Sequence, residues 1–454
     1  MSDHFDLIVI GAGSAAREAA GKASREFGAR VAMIERERWG GSCPNVACRP
    51  TKAYLVAAEL AYTVNELSDW MGVECAPAHV HLARVRAWKD SIRRSQESWI
   101  EFLTEAGYEL VPGVATFVDP HTLRVGEREL TADRIFIATG SRTAVPRVPG
   151  IDEVEWIDHV TALELDEIPE SLLIVGGGPV GLEFAQIFRR FGSRVTLVNR
   201  EPQIAARADS EAAAELHGEL EREGIEIVLE STVEAFAREG LHTVAQLTGG
   251  HEVRVTHVLL ASGRTPNTEE LGLDGIGVET DRGYVVVDDR QRTTVEGVWS
   301  AGDVAVGPQL TPLAQYQARI AIDGMFGAGT RRSDFSALPS AIFTDPELGS
   351  IGLTEREAHA AGHDVEVVKH PLTSVTRAQF TRSQFGLYKI VFDRATRKVL
   401  GVHVVSRGAS DIVGSLAPAF KLGVTVDDLA YVHHVYPSYS EGLKAAAEKA
   451  PASA

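Results

Sequence analysis

Cysteine is scarce, with three in a chain of 454 residues. That excludes a disulfide scaffold. In a reducing compartment, two cysteines close in sequence point to redox or metal chemistry rather than to a staple. Positive charge is also short: 45 basic residues face 63 acidic ones, for a net charge of −18. This leaves no footprint for a phosphate backbone or an anionic membrane surface, so neither nucleic acid nor membrane is an expected partner. No apolar run approaches the roughly 20 residues that span a bilayer. The opening MSDHFDLIVIGAG enters a strand without signal-peptide anatomy, so a cytoplasmic address is expected. Long Gly/Ser-rich or Pro-rich linkers are missing too. What is present is 44% hydrophobic content over a length that a single core rarely organises, which implies two to four packed domains.

Apolar runs at Leu7 to Ile10 and Leu172 to Val175 each lead into glycines and then a helix-like stretch. That alternation predicts βαβ units around buried parallel strands, once near residues 6–36 and again near 171–200. Beyond Ser336 the pattern changes to strand-like segments, Tyr388 to Phe392 and Val399 to Val405, followed by an Ala-rich helix. The fold class is therefore α/β, with two Rossmann-like dinucleotide-binding domains and a C-terminal α+β domain. The expected boundaries are 1–143 with 263–335 for the first domain, 144–262 for the second and 336–454 for the third.

Gly11-Ala-Gly13-Ser-Ala-Ala16 follows a strand and opens a helix. This gives a tight turn, close backbone approach to a pyrophosphate, and N–H donors at the helix start. Glu35, at the end of the next strand, suits a ribose hydroxyl and so an unphosphorylated dinucleotide. The second copy reads Gly176-Gly-Gly178-Pro-Val-Gly181. There Asn199 occupies the acidic position, followed by Arg200 and later Arg207. With no carboxylate at that position and a guanidinium able to pair with a 2′-phosphate, NADPH is expected over NADH.

The segment Gly40-Gly41-Ser42-Cys43-Pro44-Asn45-Val46-Ala47-Cys48 sets its cysteines five apart, which in a regular helix leaves their Cα atoms roughly 8 to 9 Å apart. A disulfide needs about 4.4 to 6.8 Å. A bridged pair would therefore place Cys43 in a loop or distorted turn before the helix, which Pro44 permits. Buried thiols and metal ligation are the other readings, but further ligands are missing nearby. Cys75, His79 and His81 are close in sequence, yet no metal site is expected from them.

With the motif continuing through Arg49-Pro50-Thr51-Lys52, the chain resembles the flavoprotein disulfide reductase family, of the mercuric reductase-like and dihydrolipoamide dehydrogenase-like kind. Further matching segments are Ala138-Thr139-Gly140-Ser141, Gly176 to Glu183, Ala261 to Asn267, Ser300 to Asp303, Leu310 to Ala314 and Phe343 to Glu347. The resemblance implies FAD beside Gly11, Gly13, Ala16 and Glu35. It adds Gly41, Ser42, Ala115, Thr139, Gly140 and Gly263 to that side, with Arg264 and Thr311 along FAD and Asp303 on the ribityl chain. By the same resemblance Lys52 is expected to pair with Glu183 beside the flavin ring. The resemblance further implies that electrons pass from NADPH through FAD to a Cys43–Cys48 disulfide, with Cys48 nearer the flavin and Cys43 the interchange thiol. A homodimer is implied, each chain completing the other's site with its Tyr436–Glu441 segment.

The C-terminal segment departs from the family pattern. Disulfide-reducing members carry H-x-H-P-T-x-x-E, whereas this chain reads His434-Val-Tyr436-Pro437-Ser438-Tyr-Ser-Glu441. Tyrosine, with a pKa near 10, is a poor proton shuttle at neutral pH. The expected acceptor is therefore a metal ion or another non-disulfide molecule. The tail AAAEKAPASA lacks the cysteine pair of mercury-reducing members, which weakens mercury as the substrate. A thiol-driven C–S cleavage also fits. Two rival readings stay open: a low-molecular-weight disulfide reductase using His434 as a displaced base, and a flavin-bearing subunit of a larger complex.

Overall fold

The run Leu7–Ile10 is buried along its whole length and forms the middle strand of a five-stranded parallel sheet, as expected for a strand covered on both faces. The order is Val298–Ser300, Ile135–Ile137, Leu7–Ile10, Val31–Glu35 and Glu109–Pro112, and every pairing is parallel. Helix Ser14–Phe27 links two of these strands. Its buried face is mostly alanine, which lets it lie against helix Thr311–Phe326, whose Ala314, Ala318 and Ala321 join the same core. These elements belong to the first of two units, made of residues up to Thr51, Ala87–Ala144 and Gly263–Asp334. The computed structural model describes residues 4–452.

The second unit takes in Lys52–Arg86, Val145–Ser262 and the chain from Phe335 onward. Its parallel sheet runs Trp156–Ile157, His257–Leu260, Ser171–Val175, Arg194–Val198 and Glu226–Val228. Helix Pro179–Phe191 follows the glycine turn, with proline in its first turn and Gly192 closing it in the left-handed region. An antiparallel sheet of Ser340–Ile342, Glu347–Gly352, Val399–Ser406, Leu387–Asp393 and Val365–Pro371 forms the α+β part, with helix Glu441–Ala447 packed on it. The α/β expectation therefore holds. Residues 52–86 fall in this unit because Tyr54, Ala58 and Leu82 share a core with Leu163 and Phe191. Tyr54 also donates its hydroxyl to Leu163 O at 2.9 Å. Truncating so fully buried an aromatic costs about 3–5 kcal/mol.

Candidate active site

In the first unit, the ends of the parallel strands carry the expected dinucleotide residues. Gly11 has φ 109°, and a Cβ there would fall 2.4 Å from Ala138 O. Gly13 caps the following helix with nothing within 4 Å of a Cβ position, which leaves an open cradle over the helix N-terminus. Ala16 is buried one turn further on. Glu35 Oε2 accepts the Ala12 N–H at 2.9 Å, tying the glycine turn to the next strand. The cleft beside them is lined by Gly11, Glu35, Ala115, Thr139 and Asn267. Thr139 Oγ1 donates to Asn267 O at 2.7 Å, and Asn267 Nδ2 donates to Thr139 O at 2.9 Å, so the strand-end loop at Gly140 is clasped from both sides. Arg264, just after Gly263, donates Nε to Ser141 Oγ at 2.7 Å and stands 3.9 Å from Asp303. Burial raises the Asp303 carboxyl above its usual range, against the pull of Arg264 and Ser141. An open glycine cradle, a strand-end carboxylate and a second carboxylate held by an arginine fit FAD.

The cysteine segment lies against this cradle. A Cβ on Gly41, at φ 72°, would fall 2.3 Å from Gly13 Cα. Ser42–Asn45 forms one short helical turn, Val46 breaks it at φ −141°, and a new helix begins at Cys48. Cys43 therefore stands outside the helix that Cys48 opens, as bridging required. Asn45 Nδ2 donates to Trp39 O at 2.9 Å and to Gly41 O at 2.7 Å, fixing the turn from inside. Cys48 Sγ lies 3.6 Å from Thr311 Oγ1, at the start of helix Thr311–Phe326. Arg49 donates to Ile92 O at 3.2 Å.

Sequence reasoning missed three supports of this segment, each supplied from a distance. Gln96 Oε1 accepts the Trp39 N–H at 2.9 Å. The Trp99 indole fills the space over Gly40, where a Cβ would fall 2.4 Å from the ring. Arg17 lies over the same indole at 4.8 Å. Burial lowers the Arg17 pKa while the charge of Cys43 raises it, so the two groups are in electrostatic reach. The one available signal was an arginine directly after the first glycine fingerprint.

In the second unit, Lys52 Nζ donates to both oxygens of Glu183, at 2.9 and 2.7 Å. Phe343 adds its N–H to Glu183 Oε1 at 3.1 Å, and its ring lies 4.4 Å from Lys52 Nζ. Gly176 has φ 117°, Gly178 caps its helix, and a Cβ on Gly181 would fall 1.9 Å from Gly176 O. Asn199 is buried and committed to structure: its Oδ1 accepts the Gly177 N–H at 3.1 Å and its Nδ2 donates to Gln203 O at 2.8 Å. Arg200 is exposed and pairs with Glu201 at 3.0 Å, a carboxylate that the sequence reading left out of account. Arg207 is exposed nearby in sequence.

The C-terminal segment forms a groove lined by His370, Thr376, His434, Tyr436, Glu441 and Lys444. Tyr436 is 70% exposed. Glu441 Oε2 accepts the Ser438 N–H at 2.9 Å rather than holding an imidazole. His434 Nδ1 meets Ser440 Oγ at 3.0 Å, its Nε2 is buried without a hydrogen bond, and burial keeps its pKa below the ordinary histidine value. Elsewhere, Cys75 donates to Ser68 Oγ at 3.4 Å and His79 meets His81 edge-on at 4.7 Å. Among the described residues no group of three or more His, Cys, Asp and Glu is placed to hold a metal ion, and no helix is long and apolar enough to cross a membrane.

Comparison with known proteins agrees with this geometry. Residues 5–318 match the pyridine nucleotide-disulphide oxidoreductase family, and residues 338–447 match its dimerisation domain. The chain is 38% identical to a mercuric reductase of Streptomyces lividans, across 98% of this chain and 96% of that one. It is 37% identical to a dihydrolipoyl dehydrogenase of Thermus scotoductus, across 98% and 97%. The solved Cu(II) complex of RclA, an HOCl-induced flavoprotein disulfide reductase from Escherichia coli, superposes with a TM-score of 0.87 at 28% identity, covering 98% and 99%. The chain belongs to the pyridine nucleotide-disulphide oxidoreductases, FAD-dependent enzymes with a redox-active cysteine pair and a dimerisation domain.

Proposed function

We propose that this protein is an NADPH-dependent oxidoreductase that passes electrons through Cys43 and Cys48 to a thiophilic metal ion rather than to a disulfide substrate. The carrying observation is the C-terminal segment: Tyr436 stands where the family's base would be, and Glu441 is occupied by the Ser438 N–H. A leaving thiolate there has no acid matched to neutral pH. The names of two relatives, mercuric reductase and the Cu(II)-bound flavoprotein RclA, support a metal ion.

Bound FAD supplies two-electron transfer between the nicotinamide and the cysteine pair. Gly11, Gly13 and Gly41 let the backbone approach its diphosphate, Glu35 receives its ribose, and Asp303, Arg264 and Thr311 orient the rest. Lys52, held by both oxygens of Glu183, is a fixed positive charge at the start of the second unit. Cys48 would take the electrons that FAD supplies, and Cys43 would hand them onward as the Cys43–Cys48 bond re-forms. Gly176, Gly178 and Gly181 open the second turn to the NADPH diphosphate, and Arg200 with Arg207 receives its 2′-phosphate once Arg200 leaves Glu201. The domains we assign to these tasks are 1–143 with 263–335 for FAD, apart from residues 52–86, which pack in the second unit, then 144–262 for NADPH and 336–454 for dimerisation. In a homodimer each chain's Tyr436–Glu441 segment completes the other's site.

Anaerobic NADPH oxidation by the holoenzyme tests the reading. Hg(II) or Cu(II) is expected to support turnover that Cys43→Ser and Cys48→Ser each abolish. NADPH is expected to exceed NADH in kcat/KM by about tenfold or more, and Arg200→Glu to reverse the preference. Metal turnover that survives both serine variants would overturn the proposal.

A further inference from the structure

Arg17 and Arg94 are unusual in so acidic a chain, because among the described residues neither forms an ion pair with a carboxylate. Arg17 reaches only Ser14 Oγ, at 3.5 Å, and its Nε is buried without a hydrogen bond. Its guanidinium lies 4.8 Å over Trp99, while Arg94 lies 5.2 Å from the same ring and 4.5 Å from Phe102. Two cations share one indole, and the buried indole Nε1–H also lacks an acceptor. Like charges this close repel unless an anion lies between or beside them. The acidic neighbours do not fill that place. Glu18, next to Arg17, is taken by Arg319 at 2.6 Å, and Glu97 and Glu101, on the helix after Arg94, pair with neither arginine. The indole is seated on Gly40, three residues before Cys43.

We propose that Arg17 and Arg94, mounted on Trp99, form a recognition face that draws an anionic electron acceptor to Cys43. This rests on the reading of Cys43 as the interchange thiol and names the substrate class: a metal ion arriving as an anionic complex, such as one held by carboxylate-bearing thiols, in place of the bare cation. The face repels a bare cation and attracts the complex. Cys43 then takes the metal by ligand exchange as one thiol leaves. The diphosphate of bound FAD is the other anion that such a face suits, and the test separates the two.

The holoenzyme is reduced anaerobically with NADPH, freed of excess nucleotide, and mixed in stopped flow with dithiobis(nitrobenzoate), a dianion, or with neutral dithiodipyridine. With either probe the Cys43 thiolate attacks one sulfur, the probe's S–S bond breaks, and one aryl thiolate leaves. Cys48 then displaces the second aryl thiolate as the Cys43–Cys48 bond forms, so two electrons pass from the dithiol to the probe. The dianion is expected to gain about tenfold over the neutral probe, relative to the same ratio for free cysteine, and to lose that gain as salt rises. Arg17→Met and exposed Arg94→Met should each remove about threefold or more of the gain, leaving dithiodipyridine rates and FAD content unchanged. Equal effects on both probes, or no charge preference in the unaltered protein, would overturn the inference. So would loss of FAD from Arg17→Met, which would give the face to the dinucleotide. If NADPH releases no pair of new thiols, the cysteine reading falls and this inference with it; two thiols without charge preference would sink the inference alone.

Discussion

Gly41 carries two constraints at once, a φ of 72° and a contact in which any Cβ would meet Gly13 Cα at 2.3 Å. Neither neighbour is a side-chain end that can move aside, so Gly41→Ala should cost about 2 kcal/mol or more and prevent FAD loading. FAD content after denaturation and the urea midpoint check this; one FAD per chain with an unchanged midpoint would refute it. Lys52→Met leaves the buried Glu183 carboxylate without its cation, and because Lys52 is partly exposed the expected loss is discounted to about 2 kcal/mol. Glu183→Gln in the same background should recover part of it. Residues of this kind were legible in the sequence because glycine spacing and motif order report backbone demands directly. The Asn199 link to Gly177 and the Arg17 seat on Trp99 were not, since each is fixed by where the folded chain brings a distant neighbour; Glu201, directly after Arg200, stood in plain sight and was overlooked.

Strands Leu387–Asp393 and Val399–Ser406 lie within a residue of the expected segments, because short runs rich in apolar and β-branched residues read as strands, here buried along almost their whole length. Their buried charge was opaque to that pattern. Lys389, on the first strand, is buried and meets Asp209 at 2.9 Å and Glu355 at 2.6 Å, partners remote in sequence. His403, on the second strand, lies between Ser350 Oγ and Leu353 O, each at 3.1 Å. Burial depresses the His403 pKa against the charge of Asp209. Asp209 is itself held below the ordinary carboxylate range: burial pushes it up, but the Lys389 hydrogen bond and the nearby positive charges outweigh that. Both folded values lie below their unfolded ones. Each group therefore stabilises the fold fully above its unfolded pKa, about 6.5 for histidine and about 3.9 for aspartate, and the contribution fades as pH falls through the folded value. The urea midpoint should hold steady above about pH 7, fall below about 6.5 and fall again below about 4. His403→Gln should flatten the first decline; a midpoint indifferent to pH across this range would contradict the account.

At the scale of the whole molecule, the order of motifs along the chain carried the family, its FAD and pyridine nucleotide cofactors and its dimerisation domain, because each motif is a backbone solution to a shared problem. The proposed acceptor rests on different grounds, on one substitution, Tyr436, and on side chains that meet only after folding. The protein is expected to sediment as a homodimer at low micromolar concentration, with dissociation reducing turnover before it releases FAD. The most direct measurement compares reoxidation of the NADPH-reduced holoenzyme by a metal ion with reoxidation by glutathione disulfide or lipoamide, in the unaltered protein and in Tyr436→His. The account predicts fast metal reoxidation, disulfide reoxidation slower by about a hundredfold, and a gain in disulfide rate of about tenfold or more in Tyr436→His. Rapid disulfide reoxidation by the unaltered protein, lost in His434→Ala and indifferent to Tyr436, would contradict it.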